Sequence, residues 1–376
     1  MRVCVVKNGP LNYSETFIRQ HVEALPAETT LLDDWPPWAR SGSVWERGLP
    51  GRALYRAVRL LTRGAYERRI TSAYVEHFRR LRPDVVLAEF GPTGVAVMGA
   101  CRSLGLPLVV HFHGYDASVR EVLERYAAGY SLMFRQAAAL VAVSRRMRGR
   151  LIELGAPPEA VYYNPCGVDC ERFGGAEPSR SPPVVLAVAR FVEVKGPRLT
   201  LEAFAGALKE CPEARLRMIG DGPLLGECRA LAAGLGVEHA VTFMGRQPHH
   251  VVAEEMRRAR LFAQHSVEAA SGAVEGTPVA VLEAGASGLP AVATRHGGIA
   301  DVVSDGETGL LVEERDVAGM ARSMLRLLRD PAEAAALGTA ACLHVREQFS
   351  AERSIERLLA IIEGCRSGAR GQTLAP

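Results

Sequence analysis

Two glutamates eight positions apart, Glu275 and Glu283, bracket the segment Glu275-Gly-Thr-Pro-Val-Ala-Val-Leu-Glu283. Pro278 suits the first residue of a helix and Thr277 suits its N-cap. Glu275 then falls in the loop and Glu283 in the second helical turn, so the two carboxylates have different tasks. The loop and helix start, Gly276 to Val279, also present unpaired backbone N–H groups, which suit a phosphate or a sugar oxygen. Taken alone, the segment reads equally as a capped helix with two solvated glutamates.

Upstream, Val184-Val-Leu-Ala-Val-Ala-Arg190 is an apolar strand ending in a cation, and Lys195-Gly196 follows. An arginine grips oxygens through a planar fork and a lysine acts as a compact point charge, so the pair can clamp a diphosphate. Lysine is scarce here: Lys7, Lys195 and Lys209 are the only three among 45 basic residues. Gly220-Asp-Gly-Pro223 and His296-Gly297-Gly298 each follow a strand, where glycine admits close backbone approach to a ligand or simply makes a tight turn. His111 and His113 share one face of a strand and Phe112 takes the other. His113, followed by Gly114, opens toward the strand's end and suits a hydrogen-bonding or proton-handling role. The His-x-His spacing could begin a metal site. No third ligand cluster is apparent in the sequence, and Cys166-Gly-Val-Asp-Cys170 has no second pair, so no metal is expected.

These groups need elements to hold them. Apolar residues make up 48% and charged residues 23% of 376, a soluble globular composition that excludes disorder. Short apolar runs alternate with amphipathic stretches. Strands are expected at 2–6, 84–90, 106–113, 140–144 and 161–165, then at 183–190, 215–220, 241–245, 261–264, 291–294 and 310–312. Nearly continuous Val, Leu and Ala runs mark strands buried on both faces, and the helical stretches between them imply βαβ units. Ser144 can cap a helix that Gly155 closes, and Ser350 can start one that ends before Gly364. A Gly-, Pro- and Ser-rich break near 173–183 separates two doubly wound α/β domains, whose sheets leave a cleft at their carboxyl ends.

Together these pieces resemble the retaining glycosyltransferases of family 4, a group that includes bacterial polysaccharide glycosyltransferases. The resemblance runs nearly end to end: His113-Gly-Tyr-Asp116, Val141-Ala-Val-Ser144, Asn164-Pro-Cys-Gly-Val-Asp169, Arg190 with Lys195-Gly196, Gly220-Asp-Gly-Pro223, Phe243-Met-Gly245, Glu275 to Glu283, and Gly306-Glu-Thr-Gly309. It implies a GT-B fold, two Rossmann-like domains facing each other across a cleft. Residues 1–172 would bind the acceptor, 173–183 would link, and 184–348 would bind the nucleotide sugar. Residues 349–376 would form a helix crossing back to the first domain and a frayed tail.

The resemblance also implies roles. Arg190 and Lys195 would hold the donor diphosphate, Glu283 the ribose, and Met244 the base pocket. Glu275 would meet the donor sugar at the reacting face, and Gly276, Thr277, Pro278 and Val279 would line sugar or phosphate. His113 would stand between donor and acceptor, with Asn12, Ser14, Tyr115 and Asp116 on the acceptor side. Retention without a required metal or cofactor is the family outcome, with UDP- or GDP-sugar as donor. The loop Lys7–Thr16 lacks the paired glycines common in the family. His265 stands where proline is usual and Asp301 where glutamate is usual.

The acceptor is expected to be a saccharide or lipid-linked saccharide in surface-polysaccharide assembly. A small natural product is the alternative, and a nucleotide-sugar-binding scaffold or pseudo-enzyme is the rival of another class. The related 2-epimerases are disfavoured by the Glu pair with Arg190 and Lys195. Between Arg40 and Arg82 there are 11 arginines and no lysine. A basic amphipathic helix at 51–63, with Trp35, Trp38 and Trp45 upstream, can lie on an anionic membrane or be an ordinary Arg-rich surface helix. Nucleic acid is not expected, for want of a recognition motif. The chain opens on a strand pattern, which reads as a cytoplasmic protein without a signal peptide, peripheral at the inner membrane face through region 40–82.

Overall fold

The structure, a computed structural model, describes residues 1–11, 15–33 and 63–366. Asn12, Ser14, the three tryptophans and the basic stretch through residue 62 lie outside the described residues. Two six-stranded sheets carry the fold. The first has the order β2-β1-β3-β4-β5-β6, formed by β1 (Arg2–Val6), β2 (Glu28–Leu32), β3 (Val85–Glu89), β4 (Leu108–Phe112), β5 (Ala139–Ala142) and β6 (Val161–Tyr163). The second has the order β12-β11-β10-β7-β8-β9, formed by β7 (Val184–Val188), β8 (Arg215–Ile219), β9 (Val241–Gly245), β10 (Leu261–Gln264), β11 (Ala291–Thr294) and β12 (Gly309–Val312). Every pairing between these strands is parallel.

The apolar runs explain the sheets. Every residue of β3, β4 and β5 is buried, because helices cover both faces. Apolar clusters sit on each side of each sheet. In the second sheet β7 and β10 are neighbours, and the strand order runs off in opposite directions from them. Their carboxyl ends therefore open a crevice, the usual ligand site of such sheets.

Two local expectations need correction. Glu28–Leu32 is a strand that the apolar-run reading omits. It is an edge strand, half-exposed along its length, so its Glu-Thr-Thr-Leu-Leu sequence carries no continuous apolar signal. The last helix does not stop before Gly364 but runs over Ala351–Arg366. A helical glycine costs about 1 kcal/mol, and the turn before it is anchored by buried Ile361 and Ile362.

That helix lies on the first sheet. Its Ile355, Leu358, Ile361 and Ile362 join Val3, Val5, Val85 and Leu87 in one apolar cluster. Polar pins fix it there: Ser354 Oγ donates to the Pro165 carbonyl at 2.8 Å, and Asn164 Nδ2 donates to the Ser354 carbonyl at 3.1 Å. Burial lifts the Cys166 thiol to about 12 and the Cys170 thiol to about 11. Among the described residues no helix is long and apolar enough to cross a membrane.

Leu358 is fully buried under the first sheet. Leu358→Ala should therefore lower unfolding free energy by about 2–5 kcal/mol, read as an earlier urea midpoint. A stability unchanged from wild type would show that the helix does not complete that core.

Candidate active site

The crevice at the second sheet is built by three loops. After β7 the chain turns through Arg190, whose side chain is exposed, and reaches Lys195 just before the helix Pro197–Leu208. Lys195 Nζ donates to Glu275 Oε2, and both side chains are nearly buried. Glu275 lies in the loop that follows β10. Its backbone N–H donates to His296 Nε2 at 3.2 Å, while His296 Nδ1 meets Glu314 Oε1 at 2.5 Å. A backbone N–H can only donate, so His296 Nε2 carries a lone pair and Nδ1 carries the proton toward Glu314. The fully buried His296 thus orients the loop that presents Glu275.

Glu283 sits in the helix Val279–Ser287 and is buried. Burial pushes its carboxyl above the usual range, and the nearby His249 pulls the other way, its Nδ1 at 3.7 Å. Met244, in β9, is half-buried against the cluster of Ile219, Phe262 and Leu282, with its carbonyl accepting from Gln247 Nε2 at 2.6 Å. Thr277 does not cap the helix, which begins at Val279 with Pro278 as its cap residue. Its hydroxyl instead donates to the Val143 carbonyl at 2.6 Å and accepts from the Cys166 N–H at 3.1 Å. Those partners belong to the first sheet's half of the chain, so Thr277 bridges the cleft. His265 Nε2 accepts from the Arg315 N–H at 2.9 Å, and burial lowers its basicity to about 4, so the imidazole is a neutral brace.

The opposite wall is formed at the ends of β3 and β4. Asp116 is fully buried and faces backbone: Oδ1 accepts from the His113 and Gly114 N–H groups at 3.1 and 2.9 Å, and Oδ2 accepts from Gly91 at 3.0 Å. It braces the turn that carries His113. Tyr115 is exposed, with its ring 5.3 Å from Phe90. His113 Nε2 lies 2.6 Å from Glu89 Oε2, and Phe17 stacks on the ring at 4.2 Å. Phe90 itself has φ 71° and ψ 143°, a backbone region that L side chains rarely occupy and that clusters at functional sites. Lys7 points into its own loop, donating to the Gly9 and Pro10 carbonyls at 3.2 and 2.9 Å and pairing with Glu15 at 3.2 Å.

The fold adds groups that the sequence reading lacked. His21 and Glu89 join His111, with potential ligating atoms within 4.8 Å of one another, so the His-x-His pair does gain neighbours of metal-ligand type. The His21 and His111 rings stack at 5.0 Å and 20°, however. Glu89 hydrogen-bonds His21 and His113 rather than His111. The available signal was Glu89 itself, an acid closing the apolar strand Val85–Glu89.

The two walls touch through backbone. A Cβ on Gly276 would fall 2.1 Å from the His113 carbonyl oxygen, and one on Gly298 would fall 2.1 Å from the Gly276 carbonyl oxygen. Around this stack Val274 N–H donates to Ser118 Oγ at 3.2 Å, Arg120 N–H to the Ser271 carbonyl at 3.0 Å, and Arg145 N–H to Asp301 Oδ2 at 2.7 Å. His113 and Glu275 are thereby held on adjoining loops of opposite walls.

Comparison with known proteins bears on this geometry. The profile described as Glycosyltransferase Family 4 matches residues 24–172, and that described as Glycosyl transferases group 1 matches residues 173–343. A protein of Escherichia coli K12 named as a colanic acid biosynthesis glycosyltransferase, WcaL, is 33% identical over 313 residues, covering 80% of this chain and 77% of its own. A GDP-mannose-dependent α-(1-6)-phosphatidylinositol monomannoside mannosyltransferase of Mycolicibacterium smegmatis is 29% identical over 359 residues, 89% of each chain. In three dimensions the Anabaena protein HepE, crystallised with UDP and glucose, superposes with a TM-score of 0.74 over 97% of this chain and all of its own, at 18% identity.

Gly276→Ala tests the contact between the walls. The added methyl cannot fit against the His113 carbonyl, so the variant should lose about 1–3 kcal/mol of stability, as overpacked sites do, and transfer activity should fall at least tenfold. A variant with wild-type melting and turnover would overturn the close approach.

Proposed function

The chain belongs to the family 4 glycosyltransferases and has their GT-B fold, and from that premise we propose that it moves a sugar, with retention, from a nucleoside-diphosphate sugar to a hydroxyl acceptor. The observation that carries the reading is Lys195 held against Glu275 at the β7/β10 crevice, on the loop that adjoins His113. An ammonium has three N–H donors. One engages Glu275, and the others are available to diphosphate oxygens beside Arg190.

In this mechanism the bond between the anomeric carbon and the phosphate oxygen breaks, leaving an oxocarbenium-like sugar and a nucleoside diphosphate anion. Arg190 and Lys195 stabilise the departing negative charge, aided by the N–H groups at Gly276, Thr277 and Val279. Glu283 holds the ribose hydroxyls and Met244 lines the base pocket. Glu275 positions the donor sugar at its reacting face. The acceptor hydroxyl attacks from the leaving-group side and its proton passes to the departing phosphate, which gives retention without a required divalent ion.

The acceptor, on this reading, lies against the first domain, residues 1–172, near Tyr115 and the loop that contains Asn12 and Ser14. The name of the Escherichia coli relative favours a polysaccharide under assembly as acceptor, either as a free saccharide or linked to lipid. The GDP-mannose-dependent relative and the UDP complex of HepE favour GDP and UDP as the first donors to try. Work at the cytoplasmic face of a membrane, reached through region 40–82, is part of the same proposal.

A thermal-shift panel of UDP-, GDP-, ADP- and TDP-sugars, with and without EDTA, tests it. A ligand at 100 times its Kd adds about 2.7 kcal/mol, so one nucleotude family should raise Tm whether or not EDTA is present. Lys195→Ala and Glu283→Ala should abolish that shift while keeping the apo melting transition. Wild-type donor affinity in both variants would remove the site assignment, and a shift lost on adding EDTA would remove the metal-free mechanism.

A further inference from the structure

We infer that Glu89 is a positioning residue that fixes His113 as its Nε2–H tautomer, leaving the Nδ1 lone pair to accept a hydrogen bond from a substrate hydroxyl. The inference rests on the glycosyl-transfer reading for the identity of that hydroxyl, but not for the tautomer.

Glu89 ends β3 and is fully buried. Its Oε1 lies 2.7 Å from His21 Nδ1 and its Oε2 lies 2.6 Å from His113 Nε2. Burial alone would raise its carboxyl, but the two imidazoles outweigh that and hold it well below the usual range. An ionised carboxylate only accepts hydrogen bonds, so the ring nitrogens that face it must carry protons. Both oxygens are engaged, which stops the carboxylate from rotating away from either ring.

The consequence falls on the far side of His113. With the proton on Nε2, a neutral imidazole has its lone pair on Nδ1. That atom is buried and has no hydrogen-bond partner among the described residues. Ring inversion is opposed from both sides, since Phe17 stacks on one face at 4.2 Å and Phe90 meets the ring at 4.9 Å and 63°. It would also exchange Nε2 for a carbon and forfeit the Glu89 contact. The adjacent His111 offers no competing proton donor to Nδ1, since its ring nitrogens make no hydrogen bond. Burial keeps His111 well below the ordinary imidazole range and therefore neutral.

An acceptor nitrogen set in the wall that touches the Glu275 loop selects for hydroxyl rather than for phosphate or carbonyl oxygen, which bring no proton. A buried nitrogen without a partner costs free energy that a hydroxyl recovers. If that recovery is larger in the transition state than in the ground state, the cluster raises kcat and leaves donor binding alone.

The test has two parts. First, ring-15N-histidine spectra of the wild-type chain, with the His113 signals identified by their loss in His113→Gln, should show Nε2 protonated and Nδ1 bare. Observation of the Nδ1–H tautomer in wild type would overturn the inference, without any Glu89 variant having to fold. Second, Glu89→Gln should shift His113 toward a mixture of tautomers and lower kcat at least tenfold. Its affinity for UDP or GDP, by calorimetry, should stay within twofold of wild type. Glu89→Asp, which keeps an acceptor-only group, should recover part of both the spectrum and the rate. Wild-type kcat in Glu89→Gln would overturn the proposal. A wild-type chain that binds neither nucleotide would count against the transferase reading instead, and the spectrum would still decide the tautomer.

Discussion

Two backbones meeting with no side chain between them set the geometry of this molecule. The His113 carbonyl rests on Gly276, and the Gly276 carbonyl rests on Gly298. Three segments from two sheets are therefore stacked at main-chain distance. The loop bonds at Ser118, Arg120, Arg145 and Thr277 line up around that stack. No amino acid other than glycine allows such an approach, because every other residue would bring a carbon into the carbonyl oxygen. His113 and Glu275, on either wall, owe their proximity to this contact.

Around it the protein buries four acids and treats each differently. Asp116 is surrounded by backbone N–H groups, Glu89 by two imidazoles, and Glu275 by an ammonium. At Glu283 burial prevails and its carboxyl rises, although the more distant His249, with Arg172 and Lys195, pulls the other way. Buried charge is expensive unless it is paired. Burial also outweighs the backbone N–H groups at Asp116 and raises its carboxyl.

Much of this architecture could be read before folding. Among the described residues, eleven of the twelve strands lie within two residues of their apolar runs, because a strand covered on both faces must be apolar throughout. The exception, Glu28–Leu32, is an edge strand whose stability comes from pairing with β1 rather than from its own composition. The cap at Ser144 was legible because its partner, the Met147 N–H, is three residues away. Thr277 has the residue type and place of a cap but is not one, because its hydroxyl bonds Val143, 134 positions earlier. His21 and Glu89, 68 apart, and the brace from Glu314 through His296 escaped for the same reason. Local chemistry is written in local sequence, whereas a contact between walls depends on where the sheets bring distant loops.

The last helix gives the chain an order of assembly. Translation delivers the first sheet early, but the face lined by Val3, Val5, Val85 and Leu87 is closed by Ile355, Leu358, Ile361 and Ile362. Those residues leave the ribosome after the whole second sheet. The nascent first half must therefore wait with an apolar surface open while the second half folds beside it. Completion of the earlier unit then waits for the helix Ala351–Arg366, so a ribosome that stalls before it or a protease that removes it leaves the first sheet, not the second, without its cover.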